Sequence, residues 1–229
     1  MSPIGIQIQE GCGNDIYRYA KNIATLNKFM DYDLTKFTPD VRYLDDMREI
    51  LYDKDFAKNS PNIKLYFMYR KVKQENGLVH NITVIPAKML GSEFAKTKGH
   101  AHIGSYKEIY TVLEGQAIFL MQKGDGDKIE DVCGVKAKKG ESAIIPEEYG
   151  HITINPSETE DLKTSDWTSG NCKSDYSLFV KLHGACYYYI LQPGSGQASW
   201  IKNENYKNVP PLRFEEPLKS IPQNLNFLK

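Results

Sequence analysis

The feature that most constrains the fold of this chain is a series of short apolar segments separated by glycine-containing turns. The segments begin near residue 62 and cover 63–69, 81–85, 108–112, 116–122, 129–136, 142–145, 151–155 and 178–182. Apolar and polar residues alternate in many of them, which is the pattern of a β-strand with one buried face. Many short strands at such regular spacing predict an all-β fold, either a closed barrel or a sandwich.

The segments outside this series differ in character and divide the chain into three parts. Residues 1–60 predict an N-terminal arm with a helix, because Leu44, Met47 and Leu51 have helical spacing and Asp40 suits an N-cap. Residues 61–192 predict the barrel, with a surface loop inserted at 156–177, where Ser, Thr and Asp are frequent. Residues 193–229 contain five prolines, which predict an extended tail lying over the barrel.

Charge and composition exclude several classes of partner. The chain has 29 Lys and Arg against 29 Asp and Glu, so a zero net charge gives no electrostatic reason to expect nucleic acid or an anionic membrane. The N-terminus lacks the basic and apolar regions of a signal peptide, and no apolar stretch is long enough to span a bilayer. The 4 cysteines show no Cys-x-x-Cys spacing, so we expect reduced thiols in a cytoplasmic protein.

Four residues of the strand series have side chains that bind metal ions. His100 and His102 are two positions apart, and on a strand such residues point to the same face. Glu108 follows in the next strand candidate, and His151 begins another. Three imidazoles and a carboxylate on one face would bind a divalent transition metal ion. A His-x-His pair alone is also common among hydrogen-bonded surface or core histidines, so the interpretation depends on all four residues together.

The joint spacing resembles the two motifs of the cupin superfamily. The residues similar to the first motif are His100, His102, Glu108 and Gly115. The residues similar to the second motif are Gly140, Pro146, His151 and Asn155. The resemblance implies an all-β-dominated fold with a single cupin barrel, which is a double-stranded β-helix or jelly roll. An N-terminal helical segment and an extended C-terminal tail would complete it.

Within this superfamily the chain resembles the cupin-type glucose-6-phosphate isomerases of archaea and some bacteria. The resemblance lies in Thr-Lys-Gly-His-Ala-His at 97–102, Glu-Ile-Tyr at 108–110 and the block at 145–155. Upstream it includes Val-Arg-Tyr-Leu-Asp-Asp-Met at 41–47, the paired-tyrosine strand at 65–69 and Thr83. Together these motifs are more specific than the general cupin pattern.

The resemblance implies an enzyme that interconverts glucose 6-phosphate and fructose 6-phosphate. It implies one divalent metal ion per chain, Fe(II) first, with Mn(II), Ni(II), Zn(II) or Co(II) as alternatives, bound by His100, His102, Glu108 and His151. Glu108 is also the implied proton-shuttling base, and a metal-assisted hydride shift is a second mechanism. Tyr110 shares a strand face with Glu108, so it would either bind a substrate hydroxyl or pack in the barrel.

The same resemblance implies contacts to the phosphorylated sugar. The residues concerned are Tyr66, Thr83, Thr97, Lys98 and Gly99. The backbone at a glycine can approach an anion closely, although Thr-Lys-Gly is also an ordinary turn that enters a strand. The family's downstream Gly-His-Asp-Tyr segment is not recognisable in residues 184–189, where His183 and one of the three tyrosines could replace it.

Three other functions stay open at this point. They are an Fe(II) dioxygenase, an isomerase acting on a different sugar phosphate, and a non-catalytic sugar-binding cupin. The residues predicted to bind phosphate favour the isomerase over the dioxygenase, and the complete set of four ligands favours an enzyme over a binding module. We further expect a homodimer, because the edge strands of a small barrel favour pairing. The resemblance also implies a role in glycolysis or gluconeogenesis.

Overall fold

The computed structural model describes residues 32–229, which form a fold dominated by β-strands. Its sixteen described strands are β1 (Asp40–Tyr43), β2 (Lys64–Glu75), β3 (Leu78–Ile85), β4 (Met89–Leu90), β5 (Glu93–Phe94), β6 (Ala101–Ile103), β7 (Glu108–Glu114), β8 (Gln116–Asp125), β9 (Lys128–Lys138), β10 (Ser142–Ile145), β11 (Gly150–Ile154), β12 (Leu162–Ser169), β13 (Lys173–Asp175), β14 (Tyr187–Leu191), β15 (Ala198–Lys202) and β16 (Arg213–Glu215). The described helices are α1 (Lys54–Asn59) and α2 (Ser177–Lys181), with short 3₁₀ turns at Leu34–Lys36, Leu44–Asp46, Arg48–Ile50 and Asn226–Leu228.

Two main sheets enclose the core of the described chain. The larger sheet has the order β1-β2-β3-β12-β7-β10, and the smaller has the order β11-β8-β9-β16. Two further sheets, β15-β14-β5-β4 and β13-β6, flank them. Neighbouring strands in these sheets run antiparallel except for β16, which runs parallel to β9.

β8 shows how a strand with two buried faces forms part of the barrel. Phe119 and Met121 point into the main core between the two large sheets. Ile118 and Leu120 point the opposite way, into a second cluster with residues of β14. Because both faces of the strand are buried, its sequence reads as a nearly continuous apolar run.

Seven of the eight predicted strands are confirmed, and they correspond to β2, β3, β7, β8, β9, β10 and β11. The eighth, at 178–182, is wrong, since this segment forms α2. The Asp175 carboxylate accepts the backbone N–H of Ser177 at 2.9 Å and turns the chain into the helix. Phe179 is then buried against Gly99 and Gly150, where a β-carbon would not fit.

The predicted helix with Asp40 as its N-cap is also wrong. Asp40 begins β1, where it lies opposite Met68 of β2. Leu44 and Ile50 lie on two 3₁₀ turns and Met47 lies between the turns; the three residues are fully buried at three-residue intervals. A 3₁₀ turn has three residues, so it buries positions that also fit a helical repeat. The part of the predicted N-terminal arm at 1–31 lies outside the described residues.

The predicted surface loop at 156–177 is wrong as well. It contains β12, an interior strand of the larger sheet that pairs with β3 on one side and β7 on the other. Thr164 and Asp166 are buried on the inner face of this sheet, whereas Trp167 is buried on its outer face. The strand is polar because Asp166 lies in the polar end of the barrel, where it accepts a 2.7 Å hydrogen bond from Asn81.

The C-terminal segment is extended and lies over the barrel, as predicted, and it also contributes strands. β15 pairs with β14, and β16 adds to the edge of the smaller sheet beside β9. Leu228 is fully buried against the outer face of the larger sheet with Ile109 and Trp167. The tail therefore covers apolar surface that the larger sheet would otherwise expose.

The thiols differ from the expectation in one respect. Cys133 is disulfide-bonded, so the prediction of reduced thiols is wrong for this residue, while Cys172 and Cys186 are free. No helix within residues 32–229 has the length and apolar character needed to cross a membrane.

Candidate metal centre

Strand pairing brings the three predicted histidine ligands together. His100 immediately precedes β6, and its backbone exchanges two hydrogen bonds with His151 of β11, at 3.2 and 2.8 Å. His102 lies two residues further on, and its ring centroid is 5.4 Å from that of His100 and 5.4 Å from that of His151. The His-x-His spacing therefore places both imidazoles on one face, as the sequence predicts.

Glu108, the first residue of β7, completes the cluster. Its Oε2 lies 3.3 Å from Nε2 of His102 and 3.2 Å from Nε2 of His151. One ligand atom from each of His100, His102, Glu108 and His151 lies within 4.8 Å of all the others. These four residues are called the His/Glu cluster below.

The hydrogen bonds of the cluster fit metal binding. The backbone carbonyl of Tyr106 lies 2.9 Å from Nδ1 of His102 and can fix the proton on that nitrogen, which leaves Nε2 for a metal. Glu108 Oε2 and His151 Nδ1 are buried without a hydrogen-bond partner. Buried polar atoms without partners are rare in folded proteins, and carboxylate and imidazole donors suit Fe(II), Mn(II), Co(II), Ni(II) and Zn(II).

Electrostatics set the protonation of the cluster. Burial opposes ionisation of Glu108, but the adjacent imidazoles of His102 and His151 outweigh it and hold the pKa of that carboxyl well below its usual range. Burial and the neighbouring His151 hold the pKa of His100 well below its usual value. Burial lowers the pKa of His102, but Cys172 and Glu108 raise it to about 11. Since ligation requires a neutral imidazole, a metal ion bound there displaces the His102 proton.

Tyr110 lies beside the cluster, on the same face of β7 as Glu108. Its hydroxyl is 3.3 Å from Nε2 of His151. Burial and the Glu108 carboxylate hold the pKa of Tyr110 well above its usual value. Tyr110 is therefore a neutral hydrogen-bond donor at the edge of the cluster, and its ring also packs on Phe119 in the main core.

Asp166 is a residue of this site that the sequence prediction missed. It lies on β12 opposite Tyr110, and burial together with the nearby Glu108 carboxyl raises its pKa well above the usual value. Asn81 donates a 2.7 Å hydrogen bond to Asp166 and accepts one at 2.8 Å from the backbone N–H of Lys71. The prediction of a loop at 156–177 hid this residue. Its neighbours Trp167 and Thr168 have high strand propensity and were the available signal.

The residues predicted to contact the sugar phosphate lie near the cluster, and the fold itself uses several of their polar groups. The Tyr66 hydroxyl accepts the backbone N–H of Lys98 at 3.1 Å, which joins two of these predicted residues. Thr97 Oγ1 accepts the backbone N–H of Thr153 at 3.0 Å. Thr83 is buried on β3. Within the described part of the chain, its side chain forms no hydrogen bond with the other residues predicted to contact the phosphate.

Gly99 has a left-handed backbone with φ of +84°. A β-carbon at this position would lie 2.5 Å from Ile152 and 2.6 Å from Phe179. Close packing against α2 and β11 therefore explains this glycine without any ligand.

The alternative substrate contacts after residue 182 point away from the His/Glu cluster. His183 Nδ1 lies 3.0 Å from the backbone carbonyl of Glu49. The hydroxyl of Tyr188 donates to the carbonyl of His183, and that of Tyr187 donates to the carbonyl of Pro210. These side chains hold the C-terminal segments to the barrel. Tyr176, which the sequence analysis did not single out, lies nearer, with its ring 5.6 Å from that of His100.

The fold and the cluster define a β-barrel protein with four residues that could bind a divalent metal ion. A family model described as glucose-6-phosphate isomerase (GPI) matches residues 63–209. This chain belongs to that family. The match includes the whole His/Glu cluster and the strands that position it.

Curated relatives agree with this assignment. The glucose-6-phosphate isomerase of Thermococcus gammatolerans is 28% identical over 120 residues, which are 50% of this chain and 61% of that protein. The enzyme of Pyrococcus furiosus is 27% identical over 121 residues, with 50% and 62% covered. The chain thus matches about three fifths of the length of these relatives.

Solved structures with a similar fold include an oxalate oxidase in complex with glycolate and the vicilin of Capsicum annuum. The oxalate oxidase has a TM-score of 0.35 and 20% identity, and the match covers 44% of this chain and 46% of that one. The vicilin has a TM-score of 0.37 and 11% identity, with 49% and 30% covered. Scores this low contribute nothing to the functional argument.

Proposed function

We propose that this protein is a metal-dependent aldose–ketose isomerase that interconverts glucose 6-phosphate and fructose 6-phosphate. The observation that carries the proposal is the His/Glu cluster, buried at one end of a cupin barrel in a chain of the glucose-6-phosphate isomerase family. The same four residues would also suit other metal-dependent cupins, and membership of this family supports the isomerase among them.

The reaction moves a proton between C2 of the open-chain aldose and C1 of the ketose, and the hydroxyl proton moves between O2 and O1 in the same conversion. A divalent ion held by His100, His102, Glu108 and His151 would polarise the sugar's C1 and C2 oxygens. Glu108 is the proposed base that takes the proton from C2 and returns it to C1, because it lies in the cluster as an ionised carboxylate. Tyr110 is the proposed hydrogen-bond donor to a substrate hydroxyl, since its phenol stays protonated.

The remaining proposed site residues would serve the phosphorylated end of the sugar, by contact or by positioning a contact. They are Tyr66, Thr83, Thr97, Lys98 and Gly99. Tyr66 is buried and already holds the backbone of Lys98, so it would position that lysine rather than contact phosphate itself. Binding energy at this end would hold the reacting carbons beside Glu108.

A coupled assay tests the proposed reaction. Purified protein is treated with EDTA, supplied with fructose 6-phosphate, and followed through glucose 6-phosphate with an NADP-linked dehydrogenase. We expect turnover to disappear on EDTA treatment and to return with Fe(II) or Mn(II). Glu108→Gln is the matched variant, because it keeps the size of the side chain and removes the base. Absence of turnover with metal demonstrably bound would contradict the proposal.

Three finer proposals accompany this function. Fe(II) is the proposed metal, with Mn(II), Ni(II), Zn(II) and Co(II) as alternatives, and elemental analysis of the protein as purified identifies it. A homodimer is the proposed assembly, which light scattering checks. The reaction would belong to glycolysis or gluconeogenesis, according to its direction in the cell.

A further inference from the structure

A series of hydrogen-bonding groups crosses the larger sheet toward the His/Glu cluster. In this sheet β2, β3, β12 and β7 are neighbours in that order. From β2, the backbone N–H of Lys71 donates to Oδ1 of Asn81 on β3 at 2.8 Å. Nδ2 of Asn81 then donates to Oδ2 of Asp166 on β12 at 2.7 Å. The Asp166 carboxyl lies within hydrogen-bonding reach of Glu108 on β7, so four successive strands each contribute one group.

The series begins at a bulge in β2. The pairing of β2 with β3 shifts register between Tyr69 and Lys73, so residues 70–72 lie opposite Asn81 alone. Lys71 has a left-handed backbone with φ of +54°, which is uncommon outside glycine and persists only where its surroundings hold it. The bulge presents the Lys71 N–H to the Asn81 side chain. Bulges often re-aim a group in this way beside a functional site.

The packing of the barrel does not require a carboxyl at Asp166. The residue is buried, and within residues 32–229 it forms no ion pair. Arg70, the cation whose charge acts on it, pairs instead with Asp40 at 3.0 Å. On the same face of β12, Leu162 lies in the main apolar core. A buried carboxyl without a cation is costly where an apolar residue would pack, so its presence points to the adjoining site.

Glu108 is contacted from two sides. Its Oε2 lies 3.3 Å from Nε2 of His102 and 3.2 Å from Nε2 of His151, without a hydrogen-bond partner. Those histidines belong to β6 and β11, which are outside the larger sheet. Asp166 belongs to the larger sheet and approaches Glu108 from within it. A carboxyl held from the sheet side keeps an orientation toward the imidazoles.

We propose that Asp166 is a positioning residue, which holds the Glu108 carboxyl toward the imidazoles and is itself held by Asn81 and the bulge of β2. Hydrogen-bonding groups behind metal ligands fix the orientation of the ligands, and their loss typically lowers metal affinity by about 10- to 100-fold. That the cluster receives a catalytic metal ion rests on the proposed function. That Asp166 acts through Glu108 rests on the series of contacts across the sheet.

Binding of Zn(II) to the full-length protein, measured by competition with a fluorescent chelator, tests this role without catalysis. Three imidazoles alone can bind Zn(II), so the affinity stays measurable when Glu108 is replaced. We expect Asp166→Val, which removes both oxygens and suits a strand, to weaken binding at least about tenfold. Asp166→Asn should stay within about threefold of the unmodified protein, because an amide can accept from Asn81 and donate to Glu108. Ser165→Ala, buried on the opposite face of the same strand, is the control with unchanged affinity.

A double variant tests whether Asp166 acts through Glu108. Adding Asp166→Val to Glu108→Ala should cause no further loss of Zn(II) affinity, since the group that Asp166 positions is already absent. In the coupled assay at saturating metal, Asp166→Val should lower kcat and leave KM for fructose 6-phosphate unchanged, because Glu108 is the proposed base. Thermal melts verify that each variant is folded.

The outcomes separate the positioning role from the proposed reaction. Zn(II) binding by folded Asp166→Val as tight as that of the unmodified protein would overturn the positioning role. Equal losses in Asp166→Val and Asp166→Asn, or a further loss in the double variant, would also overturn it, because Asp166 would then act on the metal by its own charge. If the coupled assay detects no isomerase but the Zn(II) affinities follow the expected pattern, the positioning role stands and the proposed reaction fails.

Discussion

Two buried carboxylates in this barrel have opposite surroundings. Glu93 of β5 is saturated, since one oxygen contacts Nζ of Lys96 and the other accepts the backbone N–H of Tyr52 at 2.8 Å. Lys96 also donates to the carbonyl of Ile50 at 3.1 Å. Glu108 of the His/Glu cluster is unsaturated, because its Oε2 lies near two imidazoles but has no hydrogen-bond partner.

The difference distinguishes the Glu93 carboxylate, which stabilises the fold, from the Glu108 carboxylate, which is available to bind a ligand. The Glu93–Lys96 pair joins β5 to the 3₁₀ turns near Ile50, so its satisfied bonds fix one segment on another. Breaking a buried ion pair leaves an uncompensated charge, whereas an incompletely bonded cluster has capacity for a cation. Burial alone is the same in both places and does not distinguish them.

The largest expected effect is on the saturated pair. Glu93→Ala leaves the Lys96 ammonium buried without its partner, so we expect the free energy of unfolding to fall by about 3–5 kcal/mol. Urea denaturation followed by circular dichroism measures this. The double variant Glu93→Ala with Lys96→Met removes both charges and should recover part of the loss. A single variant as stable as the unmodified protein would contradict the structural role of the pair.

The next effect concerns the unsaturated cluster. Adding Mn(II) at one hundred times its Kd should stabilise the unmodified protein by about 2.7 kcal/mol, because the ion binds only the folded state. His102→Ala should abolish this gain, and its metal content after dialysis should fall with it. Lys96→Met is the control, since it is expected to lower stability and keep the metal-dependent gain. A gain retained in His102→Ala would exclude this residue from the ligands.

The same contrast explains how much the sequence could predict. The apolar strands were predictable, because β8 alternates its side chains between two buried clusters. The clustering of the candidate ligands was predictable too, since His100 and His102 share a strand face. β12 was not, because an interior strand whose inner face borders a polar site carries Thr164 and Asp166 where other strands carry apolar residues. Its sequence therefore has the composition of a loop.

Tertiary contacts account for the other differences. The turns around Met47 share the apolar spacing of an α-helix, and only the pairing of β1 with β2 selects the extended start at Asp40. The carbonyl of Tyr106 that lies 2.9 Å from the His102 imidazole is a backbone group, so no residue type signals it. Arg42 lies opposite Tyr66 because β1 pairs with β2, a long-range register that local propensity does not contain.

Asp166 allows a finer test within the unsaturated cluster. It lies beside Glu108 and is held by Asn81, so we expect Asp166→Ala to weaken Mn(II) binding about tenfold by loosening Glu108. Asn81→Ala should act in the same direction and less strongly, because it removes only the support of Asp166. Competition with a fluorescent chelator measures both affinities.

The matched control lies on the same strand. Lys163→Ala removes a side chain of β12 that pairs with Glu114 at 3.1 Å on the solvent side, and it should leave the metal affinity unchanged. Equal affinities for Asp166→Ala and the unmodified protein would show that Glu108 is positioned without Asp166.

The smallest expected effect comes from an exposed ion pair whose N–O distance is similar to that of the Glu93–Lys96 pair. Lys123 Nζ lies 2.7 Å from the Glu148 carboxylate, but the two side chains are 38% and 64% exposed, against 3% and 1% for Lys96 and Glu93. Solvent and salt screen such a pair, and ordering two long side chains opposes its attraction. Lys123→Ala should therefore leave Tm unchanged at physiological salt.

Lys123 is the better partner to replace, because Glu148 has a φ of +67° and a change there would also alter backbone strain. A fall in Tm comparable to that of Glu93→Ala would mean that contact distance, and not burial with full hydrogen bonding, sets the stabilisation by ion pairs in this protein.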